Sequence, residues 1–486
     1  MIDNLFKETK VQKIFGTAGA GKTTFLINKV DELFKSGVRP EEICFVSFTK
    51  KAVEEMVERM VKKFPQYKED QFSYFKTLHA LCYSFADNKN ILQQKDLIKI
   101  AKDMGLEVSN YQSSEEGGGT KQGDKVITIE SLSRLRMVSL EQQWKDCNLD
   151  DCPLRIVNKW SANLQKYKQE NGKVDFTDLL YKYNAGALRD VKHFIIDEAQ
   201  DFSPLQWSVV DKMSKNCEKV YLAGDDDQAI YNWAGADVDY ILNVKAEEET
   251  ILDKTYRLPK QIYNVSRRIL KNVKNRKPKE HEPDRDDGRI IREDSFDSVK
   301  FDAQQDYLIL VRNRFQISAV VKRLEELGLP YTAYNKSSTD CKEIKAIVAW
   351  ERFRKTGELP YKDFEVIQGY STFLKKCKKD SIPDNVKREW FKVMNLMPVS
   401  RSSYFRNLLS NGYKFRHEPK IKVSTIHQAK GGESDNVILL TDMSGTTHKN
   451  INTEDEHRVW YVAVSRAKKN LTIIREQSNK YYKIYS

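Results

Sequence analysis

Gly16-Thr17-Ala18-Gly19-Ala20-Gly21-Lys22-Thr23-Thr24 is the stretch that decides the fold. It fits G-x-x-x-x-G-K-[ST], the glycine loop whose backbone N–H groups cradle phosphate. Val11, Ile14 and Phe15 before it read as a short buried strand. Phe25, Leu26, Ile27, Val30, Leu33 and Phe34 after it recur at helical spacing. Strand, glycine loop and helix together point N–H donors and a helix N-terminus at an anion. In that setting Lys22 reaches the β/γ-phosphates and the Thr23 hydroxyl ligates Mg²⁺. A glycine loop that binds nothing is the bland alternative, and the correct flanks argue against it.

Outward from the loop, the α/β pattern continues. Ile43–Phe48 reads as a buried strand ending near Thr49, and Val53, Met56, Val57, Met60, Val61 and Phe64 mark a helix. Residues from about 80 to 175 are helical and polar, with Trp144 and Trp160 as core anchors and a flexible linker at 113–123. Strands return at His193–Ile196 and Val220–Gly224, both followed by carboxylates. The chain turns loop-like and charged around 270–290. A second α/β region follows, with a strand at Tyr307–Val311 and a helix at Ile317–Leu327. Residues from about 346 to 418 are again helical, before strands at Ile421–Thr425, Val437–Leu440 and Leu471–Ile474. The expected fold class is α/β: two P-loop-type domains, each interrupted by a mainly helical insertion. The expected division is 1–79 with 176–255, an insertion at 80–175, then 256–345 with 419–486, and an insertion at 346–418.

The 486 residues suffice for several cores. No apolar run approaches a membrane span, and Met1–Lys10 has no signal-peptide core, so an intracellular protein is expected. Seven scattered cysteines form no C-x-x-C, which points to neither a disulfide framework nor a zinc site. The net charge of +12 permits a polyanionic partner but does not by itself establish one.

Asp197-Glu198-Ala199-Gln200-Asp201 follows a buried strand. An NTPase needs one acid to hold the metal and another to orient water. Asp197 suits the Mg²⁺ role through water, and Glu198 the general base. Two adjacent acids also serve as a plain helix cap. Gly224-Asp225-Asp226-Asp227-Gln228-Ala229-Ile230-Tyr231-Asn232-Trp233-Ala234-Gly235-Ala236 couples a polar sensor, Gln228, to two aromatics. Tyr231 and Trp233 form a base-stacking platform if exposed; composition alone favours a place in the core. Arg257 in Lys254–Arg257 and Arg466 in Val462–Ala467 are arginine-finger candidates, though a single arginine is more often a surface residue. Thr425-Ile426-His427 and Thr77-Leu78-His79 combine small polar residues with a histidine, suiting phosphate or sugar contact.

Taken in order, these stretches resemble the superfamily 1 helicases of the UvrD/Rep/PcrA type. Gly16–Thr24 is similar to motif I, Phe48–Ala52 with Glu55 and Met56 to motif Ia, and Thr77–His79 to motif Ib. Asp197–Asp201 resembles motif II, Gly224–Ala236 motif III and Leu252–Arg257 motif IV. Val423–Glu433 resembles motif V and Glu456–Ala467 motif VI. The resemblance implies two RecA-like domains, ATP with Mg²⁺ in the cleft between them, and single-stranded DNA across their tops. It implies ATP-driven 3′-to-5′ movement and unwinding at single-strand/duplex junctions, in replication, repair or recombination. It assigns Gly16, Thr17, Ala18, Gly19, Ala20, Gly21, Lys22, Thr23 and Thr24 to the nucleotide, with Asp197 and Thr23 on the metal. Tyr256 would stack on adenine, Arg257 and Arg466 contact the γ-phosphate, and Glu433 meet the ribose. Gln228 would link ATP state to DNA. Phe48, Thr49, Lys50, Thr77, His79, Tyr231, Trp233, Thr425 and His427 would line the DNA path, with Arg312 a further contact.

There are departures from the family pattern. Fifteen residues precede Gly16, too few for the family's adenine-reading Q motif, which leaves base recognition to Tyr256. Lys50 stands where motif Ia usually has Asn. The second insertion is short, and little chain follows motif VI, so no C-terminal accessory domain is expected. A translocase that displaces proteins with little unwinding, and a nucleic-acid-binding scaffold without turnover, are the two alternative classes. RNA stays open as a substrate, since stacking does not read the 2′-OH.

Overall fold

The computed structural model describes residues 2–109, 121–149, 151–183, 185–379, 382, 388–416 and 418–484. The glycine-rich part of the expected linker, 113–120, lies outside the described residues. By contacts the chain divides into two compact units, Met1–Gly288 with Asn450–Ser465, and Arg289–Lys449 with Arg466–Ser486.

Among the described residues the first unit carries a six-stranded parallel sheet. Its strands are β1 (Lys10–Gly16), β2 (Ile43–Ser47), β3 (Phe75–Thr77), β4 (His193–Ile196), β5 (Lys219–Gly224) and β6 (Glu248–Leu252). Their order is β3-β2-β4-β5-β1-β6. Parallel strands covered on both faces read as continuous apolar runs, and β2 is buried at every position. Alternate residues feed two cores. Val11, Phe15, Cys44, Val46, Phe194, Ile196, Val220 and Leu222 join one. Ile14, Ile43, Phe45, Ile195, Tyr221 and Ala223 join the other. The helix Lys22–Lys35 buries Leu26, Ile27, Val30 and Leu33, and the helix Lys50–Lys63 buries Val53, Met56 and Met60. A two-stranded parallel sheet pairs β7 (Lys254–Pro259) with β8 (Glu282–Arg285).

Residues 78–181 supply the helices Leu78–Ser84, Gln94–Asp103, Gln122–Leu135, Leu140–Cys147, Leu154–Glu170 and Phe176–Tyr181. The middle four have a core of their own, built on Ile100, Val126, Ile129, Val157 and Trp160, whereas Leu78, Leu81, Cys82, Leu179 and Leu180 of the first and last helices join the core of the sheet. Trp160 is fully buried. Trp144 is half-buried and donates its indole N–H to Cys152 O at 2.6 Å.

Among the described residues the second unit has a seven-stranded sheet of β9 (Arg289–Glu293), β10 (Tyr307–Val311), β11 (Tyr331–Ala333), β12 (Lys336–Ser337), β13 (Ile421–Thr425), β14 (Ser434–Leu440) and β15 (Ala467–Ile474). The order is β12-β11-β13-β10-β14-β15-β9, parallel except for the β11–β12 pair. The helices Lys342–Thr356, Tyr361–Gln368, Trp390–Val393 and Val399–Ser410 do not form a separate core. Trp350, Trp390 and Phe405 share one apolar cluster with Ile309 and Val423 of the sheet. The second insertion therefore extends the sheet's own core, whereas the first is tied to the sheet at its two ends and carries a separate core between them.

Candidate active site

The glycine loop opens at the C-terminal end of β1, which is held between β5 and β6. Gly19 (φ +74°) and Gly21 (φ +82°) have left-handed backbone that side chains rarely adopt. At Gly19 a Cβ would also fall 2.2 Å from Arg257 Cβ. Lys22 is buried and donates to Gly16 O at 2.9 Å. Thr255 Oγ1 donates to Ala18 O at 2.8 Å, and the Tyr256 N–H to Gly19 O at 3.0 Å.

The segment carrying Tyr256 and Arg257 is thus packed on the loop itself. The sequence reading places Arg257 on the second α/β unit, reaching across; the contacts place it in the first. The reason is chain length: one residue separates β6, paired with β1, from β7. Tyr256 is 57% exposed, leaving its ring open for stacking, and Arg257 is half-buried.

Two side chains absent from the sequence reading hold the front of the loop. Thr17 Oγ1 and Tyr461 OH share a hydrogen bond of 2.6 Å, and the Ala18 N–H donates to Tyr461 OH at 3.3 Å. The Thr17 N–H donates to His281 Nε2 at 3.3 Å. Burial lowers the His281 pKa, which suits this acceptor role.

Asp197 continues β4 by one bond, its N–H donating to Val46 O at 2.9 Å. Its carboxyl is pushed up to about 7, first by burial and then by the charge of Glu198, with the Lys22 ammonium pulling the other way. Glu198 sits at φ +55°, in the left-handed region. For a residue with a Cβ that costs about 1–3 kcal/mol and aims the side chain off the strand's ordinary course. Gln200 Nε2 donates to Glu198 Oε2 at 2.5 Å, while Gln200 Oε1 accepts from the Asp225 N–H at 3.0 Å. Gln228 Nε2 donates to Asp225 Oδ2 at 2.7 Å. Glu198 is therefore linked to Gln228 through Gln200 and Asp225. Gly224 makes room for the link, since a Cβ there would stand 2.6 Å from Gln200 Oε1.

Asp225, Asp226 and Asp227 place carboxylate oxygens within 4.8 Å of one another, a spacing a metal ion could use. A protein cation already stands among them. Lys279 Nζ is 3.1 Å from Asp225 and 3.0 Å from Asp227, and it pairs with Asp226 as well. Arg276 binds Asp227 through two bonds of 2.6 Å. Burial works to raise the Asp225 carboxyl, but Lys279 above all holds it down to about 2. This cluster is a buried ion-pair hub whose cations the protein itself supplies.

Phe48 and Tyr231 are stacked, with centroids 5.0 Å apart and planes at 18°. Trp233 lies edge-on to Tyr231 at 6.2 Å. All three are half-buried, so Tyr231 and Trp233 are not the core aromatics that composition favours. Thr49 Oγ1 accepts from the Ala52 N–H at 3.2 Å, and Thr77 Oγ1 from the Ala80 N–H at 3.3 Å, each capping a helix. Lys50 is exposed and pairs with Glu54 at 3.1 Å. His79 is half-buried and edge-on to Phe176 at 6.1 Å. Phe176, missed in the sequence, is 59% exposed. The one signal for it is an aromatic directly after the capping residue Asp175.

In the second unit, Val311 and Thr425 are register partners on β10 and β13, so Arg312 and Thr425 come together at the C-terminal ends of two central strands. His427 follows, and all three are buried. Burial first, then Arg312 and Lys430, press the His427 pKa down to about 3. The ring is neutral at physiological pH, which suits a hydrogen bond rather than a charge contact. Glu433 pairs with Lys468 at 3.7 Å. Arg466 is buried and donates to Gly432 O at 3.2 Å, which brings it beside Glu433.

The chain matches the UvrD/REP helicase N-terminal domain over residues 4–249 and the UvrD-like helicase C-terminal domain over 370–478, and it belongs to this helicase family. Among relatives, it is 27% identical over 431 residues to a probable DNA helicase II homolog of Mycoplasma capricolum subsp. capricolum, covering 80% of this chain and 55% of the relative. It is 26% identical over 381 residues to the ATP-dependent DNA helicase PcrA of Staphylococcus aureus, covering 70% and 51%. A probable DNA helicase II homolog of Mycoplasma pneumoniae is 28% identical over 307 residues, covering 58% and 42%. The chain spans about half the length of the curated relatives it matches. Among the described residues no helix is long and apolar enough to cross a membrane.

Proposed function

We propose that this chain is an ATP-driven DNA helicase that moves 3′-to-5′ along single-stranded DNA and separates strands at junctions with duplex. The observation that carries the reading is the pairing, within one unit, of two features. One is a glycine loop at the end of β1 with paired acids at the end of β4, one strand removed in the same sheet. The other is a half-buried aromatic platform of Phe48, Tyr231 and Trp233. Membership of the helicase family and the names of the relatives support it.

The residues fit ATP and Mg²⁺. A threonine hydroxyl and a buried carboxylate are the hard oxygen donors that Mg²⁺ takes, and a cation beside Asp197 relieves the burial and the like charge that raise its pKa. When bound, the metal neutralises charge developing on the phosphates. Lys22 binds the β/γ-phosphates, and Tyr256 stacks on the base. Arg257 and Arg466 stabilise the γ-phosphate, and Glu433 takes the ribose. Glu198 accepts the proton of the attacking water, with Gln200 fixing its carboxylate. Gln228 senses that change through Asp225. On the strand, Phe48, Tyr231 and Trp233 stack on bases, each worth about 1–3 kcal/mol. Thr49, Lys50, Thr77, His79, Arg312, Thr425 and His427 contact its backbone.

The test is strand separation of 3′-tailed and 5′-tailed duplexes with ATP and Mg²⁺, run beside streptavidin displacement from a biotinylated single strand. Unwinding of the 3′-tailed duplex alone is expected. Preference for the 5′ tail would overturn the polarity, and displacement without unwinding would restrict the activity to translocation.

A further inference from the structure

The helix Glu454–Val464 enters the sequence reading only as the lead-in to Arg466. Its own side chains do more. Asp455, Arg458 and Tyr461 are spaced i, i+3, i+6, so they share one face and span about 9 Å of helix axis. At one end, Asp455 Oδ2 accepts from Asn232 Nδ2 at 2.7 Å. Asn232 is the residue between Tyr231 and Trp233, and Arg136 grips it from the other side, donating to its backbone and side-chain oxygens at 2.8 Å each. In the middle, Arg458 is buried and donates through Nε to Asp226 O at 3.1 Å, its NH1 standing 3.5 Å from Asp455 Oδ1. At the far end, Tyr461 OH meets Thr17 Oγ1 and the Ala18 N–H of the glycine loop, and lies 3.5 Å from Asp225 Oδ2.

We propose that this helix couples the nucleotide at the glycine loop to the aromatic platform, with Tyr461 and Asp455 as the positioning residues at its two ends. The inference rests on the reading of those two sites as ATP and single-strand sites. A helix moves as a rigid body over two turns. A shift of Thr17 and Ala18 when phosphates bind therefore displaces Tyr461, and Asp455 carries Asn232 with it. The rings on either side of Asn232 change their presentation accordingly. The coupling is reciprocal, so DNA on the rings alters nucleotide affinity by the same factor.

The experiment uses the full chain and a labelled oligo-dT, with affinity read by fluorescence anisotropy once with ADP and once with a non-hydrolysable ATP analogue. In the unmodified protein the two affinities should differ by about fivefold or more. Asp455→Ala should bring their ratio to within about twofold of one, with DNA-independent ATP hydrolysis within about twofold of normal. Asp455→Asn keeps an acceptor oxygen for Asn232 Nδ2 and should restore the ratio. Tyr461→Phe should collapse it from the nucleotide end. An Asp455→Ala protein that loses affinity equally with both nucleotides, keeps the normal ratio, or loses basal hydrolysis would overturn the proposal. If the unmodified protein shows no DNA-stimulated hydrolysis, the functional reading fails with it. Normal stimulation with an unmoved ratio overturns the coupling role alone.

Discussion

Two acidic clusters stand at the ends of adjacent strands of the same sheet, and they are built for opposite purposes. At the end of β4, Asp197 and Glu198 are neighbours in a buried setting, and Asp197 is driven up to about 7. At the end of β5, Asp225–Asp227 are at least as deeply buried, yet Asp225 is held near 2. The difference is Lys279, brought in from a loop more than 50 residues away and fully enclosed by the three carboxylates. The trio at β5 is held by Lys279 and Arg276, whereas Asp197 at β4 is raised by burial and by the charge of Glu198. The β5 cluster presents more carboxylates, but its cation is already supplied by the protein. Counting acids does not identify a catalytic site; the partner of each acid does.

If this contrast holds, substitutions at the two strand ends fail differently. The largest effect belongs to Glu198→Gln, which should lower turnover by about 10²–10⁴ while ATP binding and the thermal midpoint stay near normal. Turnover within about threefold of normal would remove Glu198 as the base. Next is Lys279→Met, which removes the cation shared by three buried acids. Asp227 keeps Arg276, but Asp225 and Asp226 are left unpaired, which should cost about 3–5 kcal/mol of stability in urea unfolding. An unchanged midpoint would mean that the hub is not structural.

Trp233→Ala tests the platform that the β5 segment leads into. It should weaken single-strand binding by about 1–3 kcal/mol and cut DNA-stimulated hydrolysis more than basal hydrolysis. Equal losses would return Trp233 to a packing role.

The smallest expected effect is at His427. Its folded pKa, about 3, lies below the ordinary value near 6.5. The stability that this depressed pKa brings is therefore complete above pH 6.5 and is lost as the pH falls toward 3. Between pH 6.5 and 5 this is worth at most about 2 kcal/mol. His427→Gln should flatten that part of the stability–pH curve. An identical slope in the variant would show that other groups carry it.

The strands and loops were legible where the chemistry is local. Tyr307–Val311 is a continuous apolar run and Ile421–Thr425 has Ile421 and Val423 at alternate positions, and the sheet has both strands there. The edge strands β3, β6 and β9 were not legible. FKT, EETIL and RIIRE are short, charged and partly exposed, and only pairing with a neighbour makes them strands. In the candidate site the glycine loop, the acids and the aromatics could be read directly. Gln200, Tyr461, His281 and Lys279 could not be assigned roles, because their partners are remote in sequence. Lys279 in particular sits in a stretch so rich in charge that it reads as a solvated loop. The misplacement of Arg257 has a similar origin, since its motif marks a residue type and not the strand beside it.

The most direct test of the account is steady-state phosphate release by the full chain with ATP and Mg²⁺, with and without oligo-dT. The account predicts hydrolysis that rises when the oligonucleotide is added and is abolished by Glu198→Gln in both conditions. Hydrolysis that is the same with and without DNA, or that survives Glu198→Gln, would contradict it.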